Sequence, residues 1–147
     1  FNLTSLIESV LGSISILIGE KNVNIEFDSD KEIFLNADEF KIEEVVTNYI
    51  SNSIHHVRDS GEIKINVSDD GENITFSVYN TGNPIPEKDL NNIWEKFFKV
   101  DKAHSRAYGG SGIGLSIVKA IVEAHNGTVA VRNILDGVEF SFKIPKA

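Results

Sequence analysis

Near the amino terminus, Leu3, Leu6, Ile7, Val10, Leu11 and Ile14 recur with helical spacing, which predicts an amphipathic helix. Val23, Ile25 and Phe27 then alternate with polar residues, the two-residue period of a half-buried strand, and a short Ile33-Phe34-Leu35 strand is expected to pair with it. Asp38 stands where a side-chain oxygen caps a second helix. That helix carries Phe40, Val45, Val46, Tyr49 and Ile50 on its apolar side and runs to His56, beyond which Asp59-Ser60-Gly61 breaks it. Ile63, Ile65 and Val67 alternate, Asp69-Asp70-Gly71 turns the chain, and Ile74, Phe76 and Val78 return, which predicts a hairpin. Residues 81–109 hold Pro84 and Pro86 but little periodicity apart from one helical patch at 90–94, and a loop of that length usually serves as a functional lid. A third helix starts at Gly112 and runs through Ile117, Val118, Ile121 and Val122 to a stop at Asn126-Gly127. A closing hairpin of Val129 and Val131 with Val138, Phe140, Phe142 and Ile144 joins across Asp136-Gly137. This order predicts an α+β fold, a two-layer sandwich with three main helices on one face of a mixed, mostly antiparallel sheet.

Composition narrows the chemistry. At 147 residues, 41% hydrophobic and 24% charged, the chain has the make-up of one ordinary globular domain. Its net charge of −8 argues against nucleic acid as a partner, because phosphate backbones select a basic face. There is no run of apolar residues long enough to span a bilayer. With no cysteine, disulfides, thiolate metal sites and thiol nucleophiles are excluded, and the lack of any methionine suggests a piece of a longer protein.

Two features carry candidate chemistry. Asn48 and Asn52 lie four apart, so their amides project from one face of the second helix. Much later comes Gly109-Gly110-Ser111-Gly112-Ile113-Gly114-Leu115. A Walker loop would need Gly-Lys-Ser/Thr at its end, but Leu115-Ser116 stands there instead. The Gly110-X-Gly112-X-Gly114 spacing also departs from a dinucleotide fingerprint. What remains is a glycine loop opening into a helix, whose free N–H groups and positive dipole end suit an anion, or whose glycines merely allow close packing on the sheet.

Taken together, these residues resemble the catalytic, ATP-binding domain of bacterial sensor histidine kinases, of the Bergerat fold shared with DNA gyrase and heat-shock chaperone ATPases. The helix bearing Asn48 and Asn52 resembles the family's N box, and Asn80-Thr81-Gly82-Asn83-Pro84-Ile85-Pro86 its first glycine box. Trp94-Glu95-Lys96-Phe97-Phe98-Lys99-Val100-Asp101 is similar to its F box, and residues 110–115 to its second glycine box. The resemblance implies ATP and Mg²⁺ as ligands, with Asn52 coordinating magnesium through its amide oxygen. Asn48 takes the place of a water-activating glutamate in the gyrase branch, as the catalytic position. Lys99, Lys102 and Arg106 are implied near the phosphates, along with Gly110, Gly112, Ile113, Gly114 and Leu115. His55 is implied near a phosphate, His56 near the base, and Asn80, Gly82 and Ile85 around the adenine. Trp94, Phe97 and Phe98 would either anchor the lid or dock against a partner domain.

Two positions depart from the family pattern. Asn80 replaces an aspartate that accepts from the adenine amino group, which weakens that bond without removing the acceptor. Pro84 replaces a glycine and deletes an N–H. None of His55, His56, His104 and His125 lies in a phosphoacceptor motif, so the acceptor histidine is expected on a separate dimerisation domain of the parent, itself a membrane-anchored receptor with this domain on the cytoplasmic side and a response regulator downstream. A gyrase-like ATPase, an anti-sigma serine kinase of the same fold and a nucleotide-inert binding module stand as alternatives.

Overall fold

The computed structural model describes residues 1–14, 22–28, 30–96, 98 and 114–146. The elements, in chain order, are α1 (Leu3–Ser13), β1 (Asn24–Phe27), α2 (Glu39–His56), β2 (Glu62–Asp69), β3 (Asn73–Thr81), a 3-10 turn (Glu87–Asp89), α3 (Gly114–Ala124), β4 (Thr128–Ile134) and β5 (Gly137–Pro145). The sheet order is β1-β2-β3-β5-β4. Among the described residues, only β1 runs parallel to its neighbour; the other pairs are antiparallel.

Strand alternation decides which face the helices cover. Ile63 and Ile65, Ile74, Phe76 and Val78, and Val138, Phe140, Phe142 and Ile144 are buried on the face that α2 and α3 cover, and α1 packs on α2. The opposite face carries polar neighbours such as Arg132 and Glu139, which face each other across β4 and β5 and pair at 2.8 Å. Tyr49 inserts from α2 among Phe76, Phe140 and Phe142, with ring centroids 5.6 to 6.5 Å away. Its hydroxyl donates to the Ser141 carbonyl at 2.9 Å, which satisfies the one polar atom of a buried ring. Burial pushes the Tyr49 phenol far above its ordinary range.

Helix ends follow their local chemistry. The Asp38 carboxylate accepts from the Lys41 N–H at 3.2 Å and caps α2. Behind α3, Asn126 takes a left-handed φ of 62°, its N–H reaches the Glu123 carbonyl, and the Gly127 N–H reaches that of Val122, the paired bonds of a Schellman stop. His125 joins the two helices: its Nε2 accepts from the Asp38 N–H at 3.1 Å while Nδ1 lies 2.9 Å from the Ile121 carbonyl.

Two sequence expectations change. Residues 33–35 do not pair with β1, whose partner is β2. Instead, Phe34 bridges Asn2, with the Leu3 N–H on the Ile33 carbonyl and the Leu35 N–H on that of Phe1, because burying Ile33 and Leu35 draws the segment to α1. Phe40 is 84% exposed, and Ile42 takes the inward position. Within the 81–109 stretch, Ile93 is buried, Trp94 meets Phe140 edge-on at 6.0 Å, and Phe98 packs on the core. Of the two roles open to Trp94 and Phe98, these contacts match the anchoring one.

Candidate nucleotide site

Asn48 lies where α2 meets the start of α3. Its Nδ2 donates to the Glu44 carbonyl one turn back at 2.9 Å. That bond fixes the amide so that Oδ1 faces Gly114, where an added methyl carbon would stand 3.1 Å from the oxygen. Glycine at 114 thus lets the first turn of α3 approach the amide-bearing helix. An open cleft of about 550 Å³ runs beside this junction, walled by Phe40, Glu43, Thr47 and Asn48 on α2 and by Gly114 and Ile117 on α3. Glu44 also lines it, and no cation does so among the described residues.

Asn52, one turn beyond Asn48, is half-buried, and its side chain has no hydrogen-bond partner among the described residues. No cluster of three histidine or carboxylate groups suited to a metal occurs among those residues either, so a cation held here would rest on amide, phosphate and water oxygens. His55 is half-buried and His56 exposed at the end of α2.

Around Asn80 the packing is much tighter. Asn80 is 2% exposed, and its Nδ2 donates to the Thr81 carbonyl at 3.2 Å. Gly82 is buried with its N–H on the Asp136 carbonyl at 3.0 Å, and a methyl there would stand 2.7 Å from the His56 carbonyl oxygen. A methyl on Gly137 would collide with the Asn80 carbonyl. Gly137 therefore serves close approach of β5 to β3. The two residues of the turn are Leu135, at φ 51°, and Asp136. Outside this contact, the Arg58 guanidinium forks onto the Asp136 carboxylate, with its second arm at 3.3 Å, and the Arg58 N–H reaches the Thr81 carbonyl at 2.9 Å. The hydrogen bond first and the charge second hold the Asp136 carboxyl below the usual carboxylate range.

The structure thus gathers Asn48 and Gly114 at one junction, with Asn52 a turn further along α2, and Asn80, Gly82 and the His56 carbonyl at another. Leu115, although expected at the site, packs partly buried against the core. Ile85 is half-buried and hydrogen-bonded to Asn133. Lys99, Lys102, Arg106, Gly110, Gly112 and Ile113, with Phe97, lie outside the described residues. Sequence reading missed Arg58, Asn133, Asp136 and Gly137, which meet Asn80, Gly82 and Ile85 only through strand register; Gly137 beside Asp136 was the one local signal, and it read as a turn.

Residues 37–147 match the family described as histidine kinase-, DNA gyrase B-, and HSP90-like ATPase. The solved catalytic domain of histidine kinase ThkA is 35% identical, covers 99% of this chain and 93% of its own, and superposes with a TM-score of 0.88. A second structure, histidine kinase ThkA in complex with response regulator protein TrrA, is 34% identical with a TM-score of 0.85 over 100% of this chain and 41% of that one. Sensor histidine kinase WalK of Bacillus subtilis is 34% identical over 119 residues, 79% of this chain. The chain spans 20% of WalK's length and 32% of that of sensor protein CiaH of Streptococcus pneumoniae. This chain belongs to the histidine kinase-, DNA gyrase B-, and HSP90-like ATPase family, among the catalytic domains of sensor histidine kinases.

Proposed function

We propose that this domain binds Mg-ATP between α2 and the amino end of α3 and donates the γ-phosphoryl group to a histidine on a separate dimerisation domain of the same parent, for onward transfer to a response regulator. The observation that carries the reading is the junction of Asn48 with Gly114. At this place the gyrase branch uses a glutamate to activate water, and an amide takes up no proton near neutral pH. A triphosphate beside Asn48 is therefore held without help to hydrolysis and kept for another nucleophile.

The remaining residues fit that ligand. Asn52 offers an amide oxygen with no competing partner among the described residues, as a hard cation that keeps several waters requires. Bound magnesium supplies charge neutralisation between phosphate oxygens, sharply needed where Glu43 and Glu44 line the cleft. Asn80 and Gly82 form the base end, with acceptor capacity on the Asn80 amide oxygen and close backbone approach at Gly82. Lys99, Lys102 and Arg106 supply cations from the 81–109 stretch. In the transfer, the acceptor imidazole's lone pair forms the N–P bond as the bond from phosphorus to the bridging oxygen breaks and its electrons leave with ADP. Positioning and charge are what protein contributes to such a step. The parent would hold this domain on the cytoplasmic side of a membrane-anchored sensor; no helix among the described residues is long and apolar enough to cross a membrane.

Calorimetry and thermal unfolding with Mg-ATP test the binding, and labelling with γ-³²P-ATP tests the transfer. Ligand at a hundred times its dissociation constant should stabilise the fold by ~2.7 kcal/mol. Label should appear on an added dimerisation domain, in an acid-labile linkage, and not on this chain alone. Absence of any heat or stabilisation at millimolar Mg-ATP would sink the reading, and label on the isolated chain would refute the division of labour.

A further inference from the structure

The β4–β5 hairpin, which no motif of the nucleotide site includes, holds the chain that leaves Asn80. Between Pro84 and Pro86 only Ile85 retains a backbone N–H. Asn133 on β4 takes both backbone groups of that residue: its Oδ1 accepts from the Ile85 N–H at 2.9 Å, and its Nδ2 donates to the Ile85 carbonyl at 2.8 Å, across 48 residues of sequence. A primary amide offers one donor and one acceptor side by side, the same two groups that an antiparallel strand would present. The side chain thus stands in for a strand at a segment whose flanking prolines cannot extend a ladder.

Register shows what this docking faces. Asn80 lies opposite Val138 in β5, and Val138 lies opposite Asn133 in β4. Residues opposite one another across antiparallel strands present their side chains on the same sheet face. Asn80, Val138 and Asn133 therefore form one row on the face that the helices cover. Ile85 is tied to the end of that row, and Gly82, between Asn80 and Ile85, is held by the Asp136 carbonyl of the same hairpin.

We propose that Asn133 is a positioning residue for the base subsite: by pairing both backbone groups of Ile85, it fixes the 83–86 segment against the Asn80 row and sets the width of the slot that receives a purine base. It acts through Ile85 and does not touch the nucleotide. The proposal rests on the reading that a nucleotide binds here, with its base at Asn80.

The test is calorimetry on the whole chain with two probes, Mg-ADP and Mg-tripolyphosphate, the second lacking a base. Asn133→Ala should weaken Mg-ADP roughly fivefold, the worth of about one net hydrogen bond, and leave tripolyphosphate within twofold. Amide exchange at Ile85 should rise in the same variant. Asn133→Asp keeps the shape and the acceptor but turns a carboxylate oxygen toward the Ile85 carbonyl, so it should lose ADP affinity as Asn133→Ala does while the fold is retained. Unchanged ADP affinity in both variants, or equal losses for both probes, overturns the positioning role while nucleotide binding stands. Failure of the unaltered chain to bind either probe would remove the underlying reading and this inference with it.

Discussion

At the sheet end of the site, backbone meets backbone: Gly137 lies against the Asn80 carbonyl, Gly82 against that of His56, and the Asn80 and Gly82 N–H groups are engaged. At the helix end, the Asn48 amide borders an open cleft, and Asn52, one turn further along α2, has no side-chain partner among the described residues. One end has committed its polar groups to holding itself together, while the other ties only the Asn48 Nδ2, to the Glu44 carbonyl, and leaves the Asn52 amide uncommitted among the described residues. Substitutions at the first should therefore be felt in folding, and substitutions at the second in ligand binding. This is a physical difference between two regions of one site, and it can be broken.

The two glycines give the largest contrast. Gly137→Ala puts a methyl into the Asn80 carbonyl, a backbone atom in the centre of the sheet that cannot swing aside. A loss of about 3 kcal/mol or more is expected from such overpacking, read from the midpoint of urea unfolding. Among the described residues, the methyl of Gly114→Ala meets only the Asn48 side-chain amide, its Oδ1 at 3.1 Å. The few tenths of an ångström it must yield are set against a gain of up to ~1 kcal/mol in helix propensity. Its stability should stay within about 0.5 kcal/mol of the parent, and equal losses for the two glycines would dissolve the distinction.

Next comes Asn52→Ala. It removes a half-buried amide that no described residue uses, so the unliganded fold should change by less than about 0.5 kcal/mol. Affinity for Mg-ADP should fall at least about tenfold, the loss of a ligand to a hard cation, whereas magnesium-free nucleotide should bind both proteins alike. A destabilised fold with unchanged affinity would assign Asn52 to the scaffold.

How much of this was legible in advance follows the same divide. The helix end was readable because its signals are local: the four-residue spacing of Asn48 and Asn52, the Asp38 cap and the Asn126-Gly127 stop all act within a turn or two of themselves. The sheet end was not, since Gly137 and Asn133 acquire their meaning from strands more than fifty residues away in the case of Asn80 and from the register that aligns them. Residues 33–35 misled for a related reason. Alternating burial of Ile33 and Leu35 looks the same whether the segment joins β1 or α1, and the choice is made by what remains to be covered. Phe40 sat in an apolar helical pattern, but the first turn of α2 overhangs the cleft and leaves it in water.

A smaller effect tests whether the two faces of α2 are separable. Tyr49 lies next to Asn48 in sequence but faces the core, donating to the Ser141 carbonyl at 2.9 Å. Tyr49→Phe keeps the ring contacts with Phe76, Phe140 and Phe142 and removes one buried bond, at a cost of about 1 kcal/mol. Calorimetric affinity for Mg-ADP should not move. If it weakened in step with stability, core and cleft would be coupled through the helix, and the contrast drawn from the glycines would be one of degree.

The smallest effect concerns charge at the sheet end. Arg58 holds the Asp136 carboxyl below its ordinary range, so the folded pKa is depressed relative to the unfolded one. A group shifted in that direction contributes its stabilisation fully above the unfolded carboxylate value, near 4, and loses it as pH falls through the folded value. Between about pH 5 and 8 the contribution of the pair should thus be flat, and on acidification below about pH 4 the unaltered chain should lose its advantage over Asp136→Asn. With side chains 49% and 72% exposed, the pair is open to water and to salt, so 1 M sodium chloride should erase much of the difference even at neutral pH. Urea midpoints for the two proteins across pH 2–7, at low and high salt, measure this directly. An advantage that grew on acidification would contradict the sign. An advantage rivalling the Gly137→Ala loss would mean that charge, and not the close approach of β5 to Asn80, closes the sheet end.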